Sequence, residues 1–210
     1  MIGLKLFSTV PFFIAYLTSF AQIQSNNADP NGSSTIQFKQ KDTSYWVDNF
    51  RQFRDAIYQK DKAKAKSFVD FPIMNENNEI WYLAYDQNEK LIEKLPEKIK
   101  PFTEQDFDKY FDKIFSKRFI NCILKIKTDE LYKKGANTTI DFNDSITSTI
   151  YRINATFDKS ENTIQLNLYS QTQYKSKNGE DDDSGEFSIV YFLTIAKNGH
   201  IKLKQVRLAG

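Results

Sequence analysis

Tyr151-Arg152-Ile153-Asn154-Ala155-Thr156-Phe157 sets an apolar side chain against a polar one at every step. A period of two puts Tyr151, Ile153, Ala155 and Phe157 on one side of an extended chain, and so predicts a strand with one buried face. The same pattern continues downstream. After a polar turn at Asp158–Asn162, Ile164, Leu166 and Leu168 alternate with Gln165 and Asn167. Phe187, Ile189, Tyr191, Leu193 and Ile195 form the next strand, and Val190 and Phe192 add apolar groups to its other side. A strand apolar on both faces belongs inside a sheet rather than at its edge. Asn198-Gly199 is the favoured pair for a tight type I′ hairpin turn. In the last strand Ile201 and Leu203 share one face, whereas Val206 and Leu208 have the opposite parity. One inserted residue would cause that change, so a β-bulge is expected near Lys204-Gln205.

Upstream of this meander the period is helical. Trp46, Phe50, Phe53 and Ile57 fall on one helical face, behind a capping pair at Thr43-Ser44. Asp61 is placed to cap a shorter helix through Ala63 and Ala65 to Phe68, and Pro72 ends helical possibilities there. Phe71–Met74 and Ile80–Tyr85 read as strands around an Asn75-Glu76-Asn77-Asn78 turn, followed by a polar stretch to Pro96 and Pro101. Next comes Phe102-Thr103-Glu104-Gln105-Asp106-Phe107, with Thr103 as N-cap and an acid three residues on. That is close to a capping box, and Phe102 and Phe107 take the two positions of a hydrophobic staple. Phe107, Tyr110, Phe111, Ile114 and Phe115 give this helix an apolar face suited to core packing. The run Phe119 to Ile126 stays apolar, and Thr128–Lys134 adds a further turn of helix before Gly135.

The amino terminus carries one positive charge at Lys5, an apolar run from Leu6 to Leu17, and the small residues Ser19 and Ala21 flanking Phe20. This order predicts a cleavable secretory signal over residues 1–21, with Gln22 as the first mature residue. The apolar run is too short to span a bilayer comfortably. Export to the periplasm or the extracellular space is therefore expected, without membrane insertion after cleavage. Residues 22–43, rich in Asn, Ser, Gln and Thr, read as a flexible polar linker. A single domain then occupies residues 44–210. Cys122 is the one cysteine, so no intramolecular disulfide is available and the core alone must hold the domain. The formal net charge is +2, and losing Lys5 with the signal brings it closer to neutral. Such a balance argues against a nucleic-acid partner, which would require a basic stripe.

Helices first, then a meander of antiparallel strands, give an α+β fold: a strongly curved antiparallel sheet wrapping N-terminal helices. This order, over residues 44–208, resembles the NTF2-like group, also called cystatin-like, whose bent sheet forms a cone. With the Phe20-Ala21-Gln22 junction, the chain is similar to small exported NTF2-like proteins of Bacteroidetes-type bacteria. The resemblance implies a cone-shaped cavity. In enzymes of the group, an Asp, His or Tyr inside the cone does acid–base work.

Candidate chemistry is sparse. His200, the only histidine, follows a turn and is expected at a hairpin surface, and no G-x-S-x-G elbow supports a triad around it. One His and one Cys cannot supply the usual zinc set. Cys122 sits in an apolar run without the cationic setting that activates a thiol. The acidic run Glu180–Glu186 lacks the EF-hand spacing and reads as a solvated hairpin loop. Arg152 and Arg207 fall on polar faces of strands. Asp70, Trp81, Tyr82 and Tyr85 are the ligand-site candidates, the aromatic three together with Trp46 as lining for an apolar pocket. No metal and no cofactor is expected. The leading expectation is a non-catalytic exported binding module for a small apolar ligand or a protein partner. The alternatives are a cofactor-free isomerase- or dehydratase-type enzyme with acid–base residues in the cone, and a structural or protein-interaction domain without a cavity.

Overall fold

Trp46, Phe50, Phe53 and Ile57 share one face of helix α1 (Tyr45–Tyr58), and all four are buried. The computed structural model describes residues 45–173 and 184–210. The expected signal peptide, the whole of the expected linker, the Thr43-Ser44 cap and most of the acidic run lie outside the described residues. Asp61 caps α2 (Lys62–Lys66), its carboxylate accepting from the Lys64 N–H at 3.0 Å. In α5 (Glu104–Ile114) the capping box is complete. Thr103 Oγ1 accepts from the Asp106 N–H, and the Asp106 carboxylate accepts from the Thr103 N–H. A cap of this kind is worth about 0.5–2 kcal/mol. Phe102 and Phe107, the staple positions, are both fully buried. Helices α6 (Lys117–Ile123) and α7 (Thr128–Lys134) follow. Gly135 ends α7 at φ 78°, a left-handed position that favours glycine, and its carbonyl accepts the Phe157 N–H at 2.7 Å.

The segment read as two early strands is mostly helical. Glu79–Ala84 forms α3, preceded by a single 3-10 turn at Glu76–Asn78. Ile80, Leu83 and Ala84 are buried, and they stand at i, i+3 and i+4. The short run Ile80–Tyr85 is compatible with extended chain, but the helical period also fits these residues, and burial on one helical face decides it. Of the expected strand at 71–74, only a one-residue bridge remains, Ile73 exchanging both backbone hydrogen bonds with Phe102. The polar stretch before Pro96 also contains a short helix, α4 (Glu89–Ile92), capped by Asn88.

The sheet is antiparallel throughout and does not close. It comprises β1 (Ala136–Thr138), β2 (Phe142–Asp144), β3 (Thr149–Asp158), β4 (Thr163–Gln173), β5 (Ser184–Ile195) and β6 (Ile201–Ala209). The order is β1-β3-β4-β5-β6, with β2 also pairing with β3. β1 and β2 are too short for a period to show in the sequence. β5 lies between β4 and β6, as its two apolar faces suggested, although Val190 and Phe192 stay half-exposed. In β6, Gln205 pairs with Phe192 and Leu203 with Leu193, so Lys204 is the inserted residue. The bulge returns Val206 to the buried face beside Ile201 and Leu203. The β5–β6 turn is not type I′: Gly199 has φ 81°, whereas Asn198 is not left-handed. Gly199 N–H donates to the Ala196 carbonyl and Ala196 N–H to the His200 carbonyl, a three-residue loop with glycine in the left-handed position.

Helices cover one face of this sheet, α6 and α7 packing on β3 and α1 and α3 on β6. Between the layers Phe53, Phe107, Phe111, Phe115, Phe119 and Tyr191 form a continuous aromatic core. Tyr191 is buried to 1 % exposure and its hydroxyl donates to the Ile114 carbonyl at 2.7 Å, which satisfies the polar end of the ring. The edge of β6 is met at Leu203 by a one-residue parallel bridge to Val69, and beyond it by side chains. Asn75 accepts the Val206 N–H at 2.9 Å and donates to the Val206 carbonyl, and Glu79 accepts the Leu208 N–H at 3.2 Å.

Candidate functional site

Burial along the covered face falls toward one end of the sheet. Leu166 and Ile153 are completely buried, Leu168 and Tyr151 next along are 4 % and 7 % exposed, and Ile189 and Phe187 are only partly covered. The register sets Tyr151 opposite Ser170 and Ser170 opposite Phe187, so all three strands emerge from beneath the helices together. The gap is flanked by α3 and by the joint between α5 and α6, and forms a cleft of about 430 Å³. That lies at the lower end of the range typical of small-molecule sites, roughly 300–1,000 Å³. Its apolar wall is Tyr82, Leu83, Tyr151, Leu168, Phe187 and Ile189. Its rim carries Lys113, Lys117 and Arg118 against the single carboxylate of Asp86.

Two of those cations are already engaged. Lys113 Nζ lies 2.6 Å from Asp86. Arg118 Nη2 donates to Asp144 at 3.1 Å and to Thr147 Oγ1 at 3.1 Å, while its guanidinium carbon stands 5.6 Å from the Tyr151 ring centroid. Arg118 beside Asp144 is the main cause holding that carboxyl below its ordinary range, with the Thr147 hydroxyl and backbone N–H groups assisting. A depressed folded-state value means that this contribution is present above the unfolded carboxyl pKa. It is lost as pH falls through the lowered folded value.

Of the four residues expected at a ligand site, Tyr82 lines this cleft. Trp81 is buried at 1 % exposure, its Nε1 donating to the Lys100 carbonyl at 2.9 Å and Lys100 Nζ standing 3.7 Å over its ring. Tyr85 is half-buried in the same aromatic group, its hydroxyl accepting from Lys100 Nζ at 3.1 Å. Asp70 is separate from them, paired with Lys204 on the β6 bulge at 2.7 Å. Lys113, Lys117 and Arg118 were not singled out in the sequence, because as isolated cations among many they carry no pattern.

The other candidate groups sit as packing elements. His200 is partly buried, stacked on Phe68 at 5.5 Å, with Nδ1 3.0 Å from Asn49 Oδ1 and Nε2 3.1 Å from the Ser67 carbonyl. These contacts tie the β5–β6 hairpin to α1 and α2. Cys122 is buried, and loss of solvent pushes its thiol up to about 11, partly offset by hydrogen bonding to Thr139 and the Ile153 backbone. At neutral pH it is a protonated thiol and a poor nucleophile. Arg152 pairs with Asp141 at 3.1 Å and stacks on Tyr169, and Arg207 lies over Phe192. Among the described residues no group of three or more His, Cys, Asp or Glu side chains is placed to hold a metal ion, and no helix is long and apolar enough to cross a membrane. No protein-family model, no curated protein and no solved structure matches this chain.

Proposed function

We propose that the chain is an exported, non-catalytic binding module that holds a small, mainly apolar ligand in the cleft at the end of the sheet. The observation that carries this reading is the emergence of the β3–β5 apolar face from beneath the helices at Tyr151, Leu168, Phe187 and Ile189. An apolar wall left beside an open, ligand-sized space gains from any occupant that removes it from water, at about 25 cal/mol per Å². The lining also carries polar groups, Asp86, Lys113, Lys117 and Arg118 among them, which can orient an occupant. The export half of the reading rests on the signal-like residues 1–21. A cone of the NTF2-like kind is supported by element order, helices preceding an antiparallel meander, and is part of the same proposal.

Titration calorimetry with decanol, a neutral apolar probe, tests the cleft. The native domain is expected to bind it saturably at one site. Ile189→Trp, which places a large ring in the cleft from a partly exposed position, is expected to abolish that binding while leaving the thermal midpoint nearly unchanged. Unchanged decanol binding in this variant would place the ligand elsewhere.

A further inference from the structure

We infer that Asp144 and Thr147 are positioning residues for the cleft, holding Arg118 in place as one of its walls. This inference rests on the reading of the cleft as a ligand site and names what keeps that site in shape. Arg118 and Tyr151 belong to the lining, whereas Asp144 and Thr147 do not. Arg118 stands in the first turn of α6 and Asp144 ends β2, so their contact joins a helix to the edge of the sheet. Arg118 Nη2 donates to Asp144 Oδ2 and to Thr147 Oγ1, each at 3.1 Å, and the guanidinium carbon lies 5.6 Å from the Tyr151 ring centroid. That ring is itself held, stacked on Phe142 at 5.5 Å with its hydroxyl accepting from Asn121 Nδ2 at 3.3 Å. The arginine is therefore fixed between two acceptors and an anchored ring.

Asp144 divides its two oxygens between two tasks. Oδ1 accepts from the Ile146 and Thr147 N–H groups at 3.1 Å and 3.4 Å, which builds the turn between β2 and β3. Oδ2 meets Arg118, and the turn brings the Thr147 hydroxyl to the same guanidinium nitrogen. Fixing the arginine matters because its side chain is long and has many rotamers. A wall residue that is free before binding must be ordered by the ligand, at a cost in affinity; one already held costs little more. The Arg118 and Asp144 side chains keep 38 % and 29 % of their exposure, and a pair so open to water adds little to stability. Its loss should therefore register in binding more than in melting.

Titration calorimetry with decanol tests the inference. Asp144→Asn keeps an oxygen for the turn and loses the carboxylate that meets Arg118. It is expected to weaken decanol binding roughly twofold to tenfold while the thermal midpoint moves little. Thr147→Val, which removes only the hydroxyl, is expected to act in the same direction by a smaller factor. In an Arg118→Met background there is no guanidinium to hold, and Asp144→Asn is expected to leave the affinity unchanged. A residue that merely supported β2 would cost affinity in both backgrounds. Equal losses with and without Arg118 would therefore overturn the inference, as would native affinity in Asp144→Asn. Thr147→Val decides the matter if Arg118→Met binds too weakly to compare, native affinity again overturning the inference. Each of these outcomes leaves the cleft reading standing, whereas no decanol binding by the native domain would overturn both.

Discussion

Phe115→Ala is expected to lower the stability of the domain by about 3–5 kcal/mol, among the largest effects of any single core truncation. Phe115 is 1 % exposed and stands where α5 ends and α6 has not begun, with non-helical backbone angles of φ −109° and ψ 77°. Its ring centroid lies 5.4 Å from that of Phe111, 5.5 Å from Phe119, 5.9 Å from Phe53, 6.0 Å from Phe107 and 6.1 Å from Tyr191. It is therefore the common neighbour of α1, α5, α6 and the sheet. Rings already in mutual contact cannot readily collapse into the space it leaves, so the lost transfer energy is accompanied by a cavity cost. For a domain of this size the thermal midpoint is expected to fall by about 10 °C or more. A chemical-denaturation series checks the value, and a loss below about 1 kcal/mol would mean that the aromatic layer does not hold the sheet and helices together.

Asn75→Ala is expected to cost about 2–4 kcal/mol for a different reason. The side chain removed is small, so little packing is lost. What is lost is a substitute for a strand. The Asn75 amide accepts from the Val206 N–H and donates to the Val206 carbonyl, while also donating to Glu79 at 3.1 Å. At 1 % exposure these groups are out of reach of water, and the backbone polar atoms of Val206 would be left unpaired. Asn75→Asp separates the two contributions. It keeps an acceptor, loses the donor, and adds a charge beside Glu79, so it is expected to be at least as damaging as alanine. A denaturation midpoint close to that of the native protein for either variant would contradict this view of the β6 edge.

What could be read from the sequence, and what could not, follows from the range of the interactions. The strands from Thr149 onward announce themselves because one face meets helices and the other does not, and alternation records that difference directly. The bulge was legible for the same reason: Leu203 and Val206 are both buried, and only an extra residue between them permits it. The α5 cap was legible because Thr103 and Asp106 serve each other within one turn. By contrast, Ile80–Ala84 is short enough to fit both periods, and the choice was made by the surfaces of α5 and β6 on which α3 packs. Asn75 reads as a turn residue, yet its amide partners lie on β6, far along the chain. The cleft was the least legible feature. Tyr151, Leu168 and Ile189 could be placed on the buried face, but where the helices stop covering that face depends on packing angles that no local pattern encodes. Tyr82 was picked for its chemistry as one of an aromatic group. Trp81 and Tyr85, chosen with it, instead pack around Lys100.

The central claim is that the end of the sheet is left open to hold a small molecule. Comparing the native and denatured masses of the domain, purified from its source cells, tests that claim most directly. A native mass in excess by a small molecule, released on denaturation and absent from Ile189→Trp, is the predicted result. Identical native and denatured masses for the unmodified domain would contradict it.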